Sequence, residues 1–303
     1  MSNLILDPTK KIVTGVTNKD ISKIKIPEGI EKIANRAFAK CIYLFEVNFP
    51  STLKSIGMSA FEDCKCLYKL KLPDSIENID MYAFNNCESL YSINIPKKLK
   101  IISANTFNNC KSLKEINIPS NIEYIENSAF FNCNLLESVT FSNGLKSIKS
   151  LAFIGCNNLT SLTFPSSLKN IGIEAFNGCK KLQRVSFNGN NNVFISNATF
   201  MNCIKLKSVS LPNNTYFIGP RTFYNCQALK EINIPYKLTE IASNLFYNCI
   251  HLEELHIPKR VVNIKPSAFI GCTRLKNISI YRKTKYEDRT FEYCKDIKIN
   301  KYR

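Results

Sequence analysis

Apolar residues recur along this chain at a spacing of 23. In the copy that opens at Phe84 they stand at Phe84, Cys87, Leu90, Ile93, Ile95, Leu99 and Ile102, with mostly polar residues between them. Phenylalanine marks the period at Phe38, Phe61, Phe84, Phe107, Phe130, Phe153, Phe176, Phe200, Phe223, Phe246, Phe269 and Phe291, with one spacing of 24 and one of 22. A cysteine follows three residues after each, from Cys41 to Cys294, which leaves only Cys66 outside the pattern. Periodicity of this length signals a solenoid, because a unit so small cannot bury its own apolar face and must stack on its neighbours.

Within a unit, Leu90, Ile93, Ile95 and Pro96 sit in the pattern L-x-x-I-x-I-P, whose centre alternates apolar and polar as a half-buried strand does. Proline ends the strand because it lacks the N–H that a ladder needs. A return segment with Leu99 and Ile102 follows, and then a short turn or helical piece around Ala-Phe or Thr-Phe that leads to the cysteine. One strand per unit, always entered from the same side, predicts a parallel sheet with neighbours about 4.7–4.9 Å apart.

Residues 1–37 read as an N-terminal cap and partial repeat. Leu4-Ile5-Leu6, a turn at Asp7-Pro8 and Ile12-Val13 predict a hairpin over the first rung. Regular repeats fill 38–303 with a degenerate last unit, and the absence of a linker or low-complexity tract predicts one continuous domain. Three places break the rule: Asn143-Gly144, the run Asn188-Gly189-Asn190-Asn191-Asn192 with its extra residue, and Arg282 to Tyr286, where a residue is lost. Ile297 and Ile299 fit the strand pattern poorly, as a terminal cap would.

The pattern C-x-x-L-x-x-I-x-I-P-x-x-L-x-x-I-x-x-x-A-F resembles the BspA-like class of leucine-rich repeats over nearly the whole chain. The resemblance implies an α/β solenoid, a leucine-rich repeat array with a parallel β-sheet on its concave face, and in some relatives a role in adhesion or host-surface interaction. The more widespread leucine-rich consensus places Asn or Cys three residues past the last strand leucine. Thr52, Ser75, Lys98 and Asn121 occupy that slot here, which argues against a continuous asparagine ladder at it.

Composition narrows the chemistry. Thirteen cysteines in 303 residues are too regular and too odd in number for a disulfide scaffold. One per repeat at a fixed slot reads as a packed column of thiols, with disulfides between adjacent rungs as the alternative. No unit offers a C-x-x-C pair, and only His251 and His256 exist, so no metal or cofactor is expected. Neither a G-x-S-x-G, a phosphate-binding glycine loop nor an H-E-x-x-H is present, and an enzyme is not expected. No run of 18 apolar residues predicts a membrane span. The first residues lack a basic segment followed by an apolar run, which predicts a cytoplasmic location, with non-classical surface display as the alternative.

The formal charge of +17 spreads over both the pre-strand edge and the return segments, as a solvated surface does. Outward strand positions are mostly small and polar, which suits a broad protein contact. Lys69, Lys71, Asn94, Glu115, Asn117, Arg184, Glu231, Asn233, Glu254 and His256 are the candidate partner-binding residues. The expected function is a non-catalytic protein-binding scaffold of the leucine-rich repeat type, for which the resemblance implies surface adhesion or host interaction as a role. The alternatives are an intracellular adaptor and an electrostatic binder of nucleic acid or of an anionic membrane surface. A last feature is the apolar slot one residue after the phenylalanine, filled by Phe131, Ile154, Met201, Tyr224, Tyr247 and Ile270. It reads either as an outward stripe for self-association or as a cover folded over the core.

Overall fold

The computed structural model describes residues 3–303. The chain divides into two compact units, Met1–Leu145 and Lys146–Arg303, and each is a stack of coils built to one plan. The alternating segment of each repeat is a strand, as predicted. In the first unit Lys23–Lys25 pairs with Glu46–Asn48, Lys69–Leu70 with Ser92–Ile93, and Glu115–Ile118 with Ser138–Phe141, all parallel and one repeat apart. In the second, Ser161–Phe164, Arg184–Phe187, Ser208–Val209 and Glu231–Ile232 form one parallel sheet, and Glu254–His256, Asn277–Tyr281 and Lys298–Tyr302 form another. Alternation decides the faces: Ile116 and Ile118 are buried while Glu115 and Asn117 are exposed.

Two features of the coil differ from the sequence reading. The return segment is itself a strand, so each coil contributes two rather than one. Lys32–Ile33, Ser55–Ile56 and Asn78–Ile79 pair in parallel in the first unit, and Glu240–Ile241 pairs with Asn263–Ile264 in the second. The piece around Ala-Phe is a pair of turns rather than a helix, because Ser59 (φ 54°) and Asp63 (φ 59°) bracket Ala60-Phe61-Glu62 in the left-handed region that a right-handed helix excludes. The Phe61 N–H donates to the Ala83 carbonyl of the next coil at 2.8 Å instead of back along its own segment. Among the described residues the one helical piece is the 3₁₀ turn Asp288–Phe291, so the coils are built of β-structure and turns, without the helices that an α/β plan implies.

The predicted hairpin is present, with Leu4–Leu6 antiparallel to Ile12–Val16. It extends the sheet of return segments, since Ile12 and Val13 pair with Lys32 and Ile33. The Asp7 carboxylate holds its turn by accepting from the N–H groups of Lys11 and Ile12 at 3.0 and 2.8 Å. The last repeat is more regular than its sequence suggests. Ile299 pairs with Ile278 in a five-residue ladder, and the Tyr302 hydroxyl donates to the Ile257 carbonyl at 2.6 Å.

Inside each unit the phenylalanines stack face to face. Phe38 and Phe61 lie 4.9 Å apart at 3°, and Phe153 and Phe176 lie 5.1 Å apart at 4°. All of the column except the half-buried Phe291 is sealed from solvent. Each ring contributes roughly 1.5–3 kcal/mol by burial, before the entropy of ordering is subtracted. The cysteines stand beside the rings as thiols, buried except for the exposed Cys66 and the half-buried Cys294. Each column thiol with a described bond donates to the phenylalanine carbonyl of the preceding coil, as Cys64 does to Phe38 at 3.1 Å and Cys272 to Phe246 at 3.1 Å. Burial pushes the thiols of Cys87, Cys110 and Cys226 well above their ordinary range and that of Cys294 up to about 11.

The irregular loops have local causes. Gly144 takes φ +126°, and a Cβ there would meet the Ser120 carbonyl oxygen at 2.0 Å. The extra residue at 188–192 goes into a loop whose Gly189, Asn190 and Asn192 are exposed, pinned by the Asn191 amide on the Leu168 carbonyl and by Asn214 on Asn190. In the shortened repeat, Thr284 is buried and its hydroxyl donates to the Val261 carbonyl at 2.8 Å.

Three predictions follow from this packing. Under native conditions at mild alkaline pH, iodoacetamide should label Cys66 first and the column only on unfolding, which peptide mass spectrometry reads directly; prompt labelling of Cys87 or Cys226 would contradict the spine. Gly144→Ala should destabilise by at least about 1–3 kcal/mol. Gly178→Asn should be neutral or stabilising, with denaturant titration reading both variants, because Gly178 (φ +73°) has no atom near its Cβ position and its slot holds left-handed asparagines in other coils, such as Asn202 and Asn225.

Candidate interaction surface

The outward strand residues converge in two shallow depressions, one in each unit. In the first unit Lys69, Lys71, Asn94, Glu115 and Asn117 line a depression of about 510 Å³ together with Ser92, Ser138 and Thr140. In the second, Arg184, Glu231, Asn233 and Glu254 line one of about 770 Å³, whose floor holds Ser161, Thr163, Ser186, Ser208 and Ser210. His256 lies beside Glu254 in a smaller hollow, with its ring stacked on Tyr302 at 5.2 Å. His251 instead holds the Gln227 carbonyl through Nδ1 at 2.8 Å.

Two of these residues have structural work. Asn94 accepts from the Leu72 N–H at 2.7 Å and donates to the Leu72 carbonyl at 2.9 Å. Asn233 does the same to Leu211 at 2.7 and 2.8 Å. Each amide thus stands in for a ladder partner where the strand has ended. A second set of amides forms an asparagine ladder in the slot before the cysteine: Asn109 donates to Asn86 at 2.9 Å, Asn225 to Asn202 at 3.1 Å and Asn248 to Asn225 at 2.8 Å. All five asparagines have φ between 57° and 59°, a conformation that asparagine tolerates better than most residues. At the consensus slot, Thr52 and Ser75 donate to the Ile30 and Leu53 carbonyls of the preceding coil, and the Asn121 amide donates to those of Pro96 and Leu99.

Charge is partly neutralised along the first unit. Lys23 pairs with Glu46 at 3.0 Å, Lys97 with Asp74 at 2.7 Å, and Glu88 lies between Lys65 and Lys111 at 3.6 and 2.8 Å. Glu31 sits between Lys11 and Lys54 at 2.9 and 2.8 Å, and the hydrogen bonds from Lys54 and then Lys11 hold its carboxyl down at about 2. Lys69 and Lys71 make no ion pair among the described residues.

The slot four residues after the cysteine, which the sequence reading passed over, carries Phe45, Tyr68 and Tyr91 in successive coils of the first unit. These side chains and Tyr43 are 41, 56, 39 and 55 % exposed respectively. Tyr68 and Tyr91 stack at 5.6 Å, Lys23 lies over Phe45 at 5.1 Å, and Lys114 lies over Tyr91 at 5.7 Å. The 23-residue recurrence of an aromatic at one slot was the signal available. The same slot holds Lys114 and Glu137 in the rest of the first unit, and Thr160, Gln183, Lys207, Lys230, Glu253, Lys276 and Lys298 in the second. The slot after the phenylalanine is half-buried at Phe131, Ile154, Met201, Tyr224, Tyr247 and Ile270, and Tyr224 stacks on Tyr247 at 4.7 Å; it covers the core more than it projects. Among the described residues no three His, Cys, Asp or Glu side chains gather as a metal site, and no helix is long and apolar enough to cross a membrane.

The Glu31 hub sets a pH dependence. Its carboxyl falls from an ordinary 4.5 to about 2, so its stabilising effect is full above 4.5 and lost as pH falls toward 2. Wild type should therefore unfold at higher denaturant than Glu31→Gln at pH 6, with the gap closing between pH 4.5 and 2 and shrinking in high salt.

Comparison with known proteins gives the geometry a family. No curated protein matches the sequence. A leucine-rich repeat protein from Bacteroides ovatus superposes with a TM-score of 0.71 at 26% identity, over 96% of this chain and 88% of that one. A leucine rich cell surface protein from Faecalibacterium prausnitzii gives 0.58 at 25% identity, over 98% and 92%. The pneumococcal vaccine antigen PcpA shares the fold, with a TM-score of 0.51 at 21% identity over 96% and 86%. Residues 16–135, 100–194 and 193–302 match the BspA type leucine rich repeat region, in 6 copies. With repeat length, strand plan and sequence match agreeing over most of its length, the chain belongs to the BspA-type leucine-rich repeat family.

Proposed function

We propose that this chain is a non-catalytic scaffold that holds a protein partner against the pre-strand edge and open face of its first unit. The observation that carries this reading is the exposed strip of Tyr43, Phe45, Tyr68 and Tyr91. Tyrosines are enriched among the residues that dominate protein interfaces, and they bring large contact area at low entropy cost. Lys69, Lys71, Glu115 and Asn117 line the depression on the open face of the same unit and supply polar groups of mixed charge, the pattern of a reversible protein contact. The stacked coils support the reading from beneath, since side chains on a rigid frame lose little freedom on binding. The description of the F. prausnitzii protein as a cell surface protein favours adhesion at a cell surface over an intracellular adaptor.

Cross-linking and pull-down from the native cell, with wild type and the Tyr68→Ala/Tyr91→Ala double variant, tests this. The expected result is a partner retained by wild type and weakened roughly five- to thirtyfold by the variant, as loss of two exposed anchors worth about 1–2 kcal/mol together requires. A partner held equally by both would overturn the assignment to this edge. Protease treatment of intact cells, which degrades a surface-displayed chain and spares an internal one, tests the location.

A further inference from the structure

The depression in the second unit has a chemistry different from the aromatic edge and independent of it. Between Lys180 and Lys230 the chain carries seven lysine or arginine residues and no aspartate or glutamate. Arg184, Lys205, Lys207 and Lys230 are exposed and make no ion pair among the described residues. Arg184 and Lys230 form part of the wall of the 770 Å³ depression. The outward side chains between them are hydroxylic, above the inward Leu162, Val185, Val209 and Ile232, and the Thr163 and Ser186 hydroxyls lie 3.1 Å apart on adjacent strands. Beyond them stand two carboxylates, Glu231 and Glu254. Arg184, Ser208 and Glu231 occupy one column in register, so the backbones that carry cation and carboxylate lie two strands, roughly 10 Å, apart.

We propose that this depression binds an uronate-bearing polysaccharide. Such a chain presents carboxylates at intervals and free hydroxyls between them, and the depression offers a complement to each. The Arg184 fork and the Lys230 ammonium meet carboxylates. The serine and threonine hydroxyls donate or accept, and Glu231 and Glu254 accept from sugar hydroxyls. Other polyanions fit less well. A nucleic acid brings a phosphate at every step against Glu231 and Glu254, and no aromatic side chain lines the depression for its bases. A densely sulfated glycan has esterified the hydroxyls that those glutamates would hold. A membrane surface calls for apolar side chains that insert, and the wall holds none exposed.

Titration calorimetry of the intact chain with a defined-length oligouronate, its carboxyl-reduced neutral counterpart, a densely sulfated dextran and a single-stranded oligonucleotide tests this. The oligouronate should bind, lose affinity as salt rises, and bind far more weakly once its carboxyls are reduced. Arg184→Gln and Lys230→Gln should each weaken it by roughly fivefold. Glu231→Gln/Glu254→Gln should weaken the oligouronate yet strengthen the sulfated dextran and the oligonucleotide. No oligouronate binding at millimolar concentration, tighter binding of the oligonucleotide or sulfated dextran, or equal affinity in wild type and the Arg184 and Lys230 variants would overturn the proposal. All four residues are on the surface, and an unchanged denaturation midpoint confirms that the variants fold. The aromatic edge of the first unit is untouched by these variants, so failure here leaves the protein-partner reading standing.

Discussion

Each coil of this protein leaves unsatisfied what the next coil supplies. A 23-residue turn has an apolar face but no second layer to close it, and backbone groups that point along the stack rather than within the turn. The phenylalanine carbonyl shows how closely the parts are tied. The Phe38 oxygen accepts the N–H of Cys41 in its own coil at 3.0 Å and the thiol of Cys64 in the next at 3.1 Å. Ring on ring, thiol on carbonyl and amide on amide repeat at one spacing, so a slip in any of them would misplace the others. This common register explains how segments with little regular secondary structure hold a defined shape.

Much of this was legible because it repeats. The phenylalanine and cysteine slots, the strand ended by proline, the N-terminal hairpin and the three irregular loops all follow from residue type at fixed spacing. What escaped has physical reasons. The return strands are only two residues long, as at Ser55–Ile56, so they have no alternation to read. The left-handed position before the cysteine is Asn or Gly in most coils, but the one four residues earlier is filled by Arg36, Ser59, Tyr82, Leu151 and Glu174, so no residue type announces it. Ile299 seemed a poor strand residue on its own sequence and is made one by pairing with Ile278.

The outward residues were easy to place and harder to interpret. Alternation puts Lys69, Glu115 and Arg184 on the open face without ambiguity, but it cannot say that the Asn94 and Asn233 amides are engaged with the backbone of the preceding coil. That takes knowledge of where the preceding ladder stops. The interior restricts each slot to one kind of residue, whereas the edge slot after the cysteine is free to vary: aromatic at Phe45, Tyr68 and Tyr91, then charged or polar from Lys114 and Glu137 onward. Two surfaces of different chemistry thus rest on one repeated frame, since nothing in the spine depends on what that slot holds.

The asparagine ladder implies something about how such a chain grows. Asn225 donates to Asn202 and accepts from Asn248, using the same atoms in the same conformation on either side. A coil copied into the array would meet on both flanks the partners its parent had, with no new interface to invent. Length can therefore change by whole turns through gene duplication, while a change of a single residue must be absorbed in an outside loop, as at Asn188–Asn192. The protein is in this sense modular at the scale of one turn and intolerant below it.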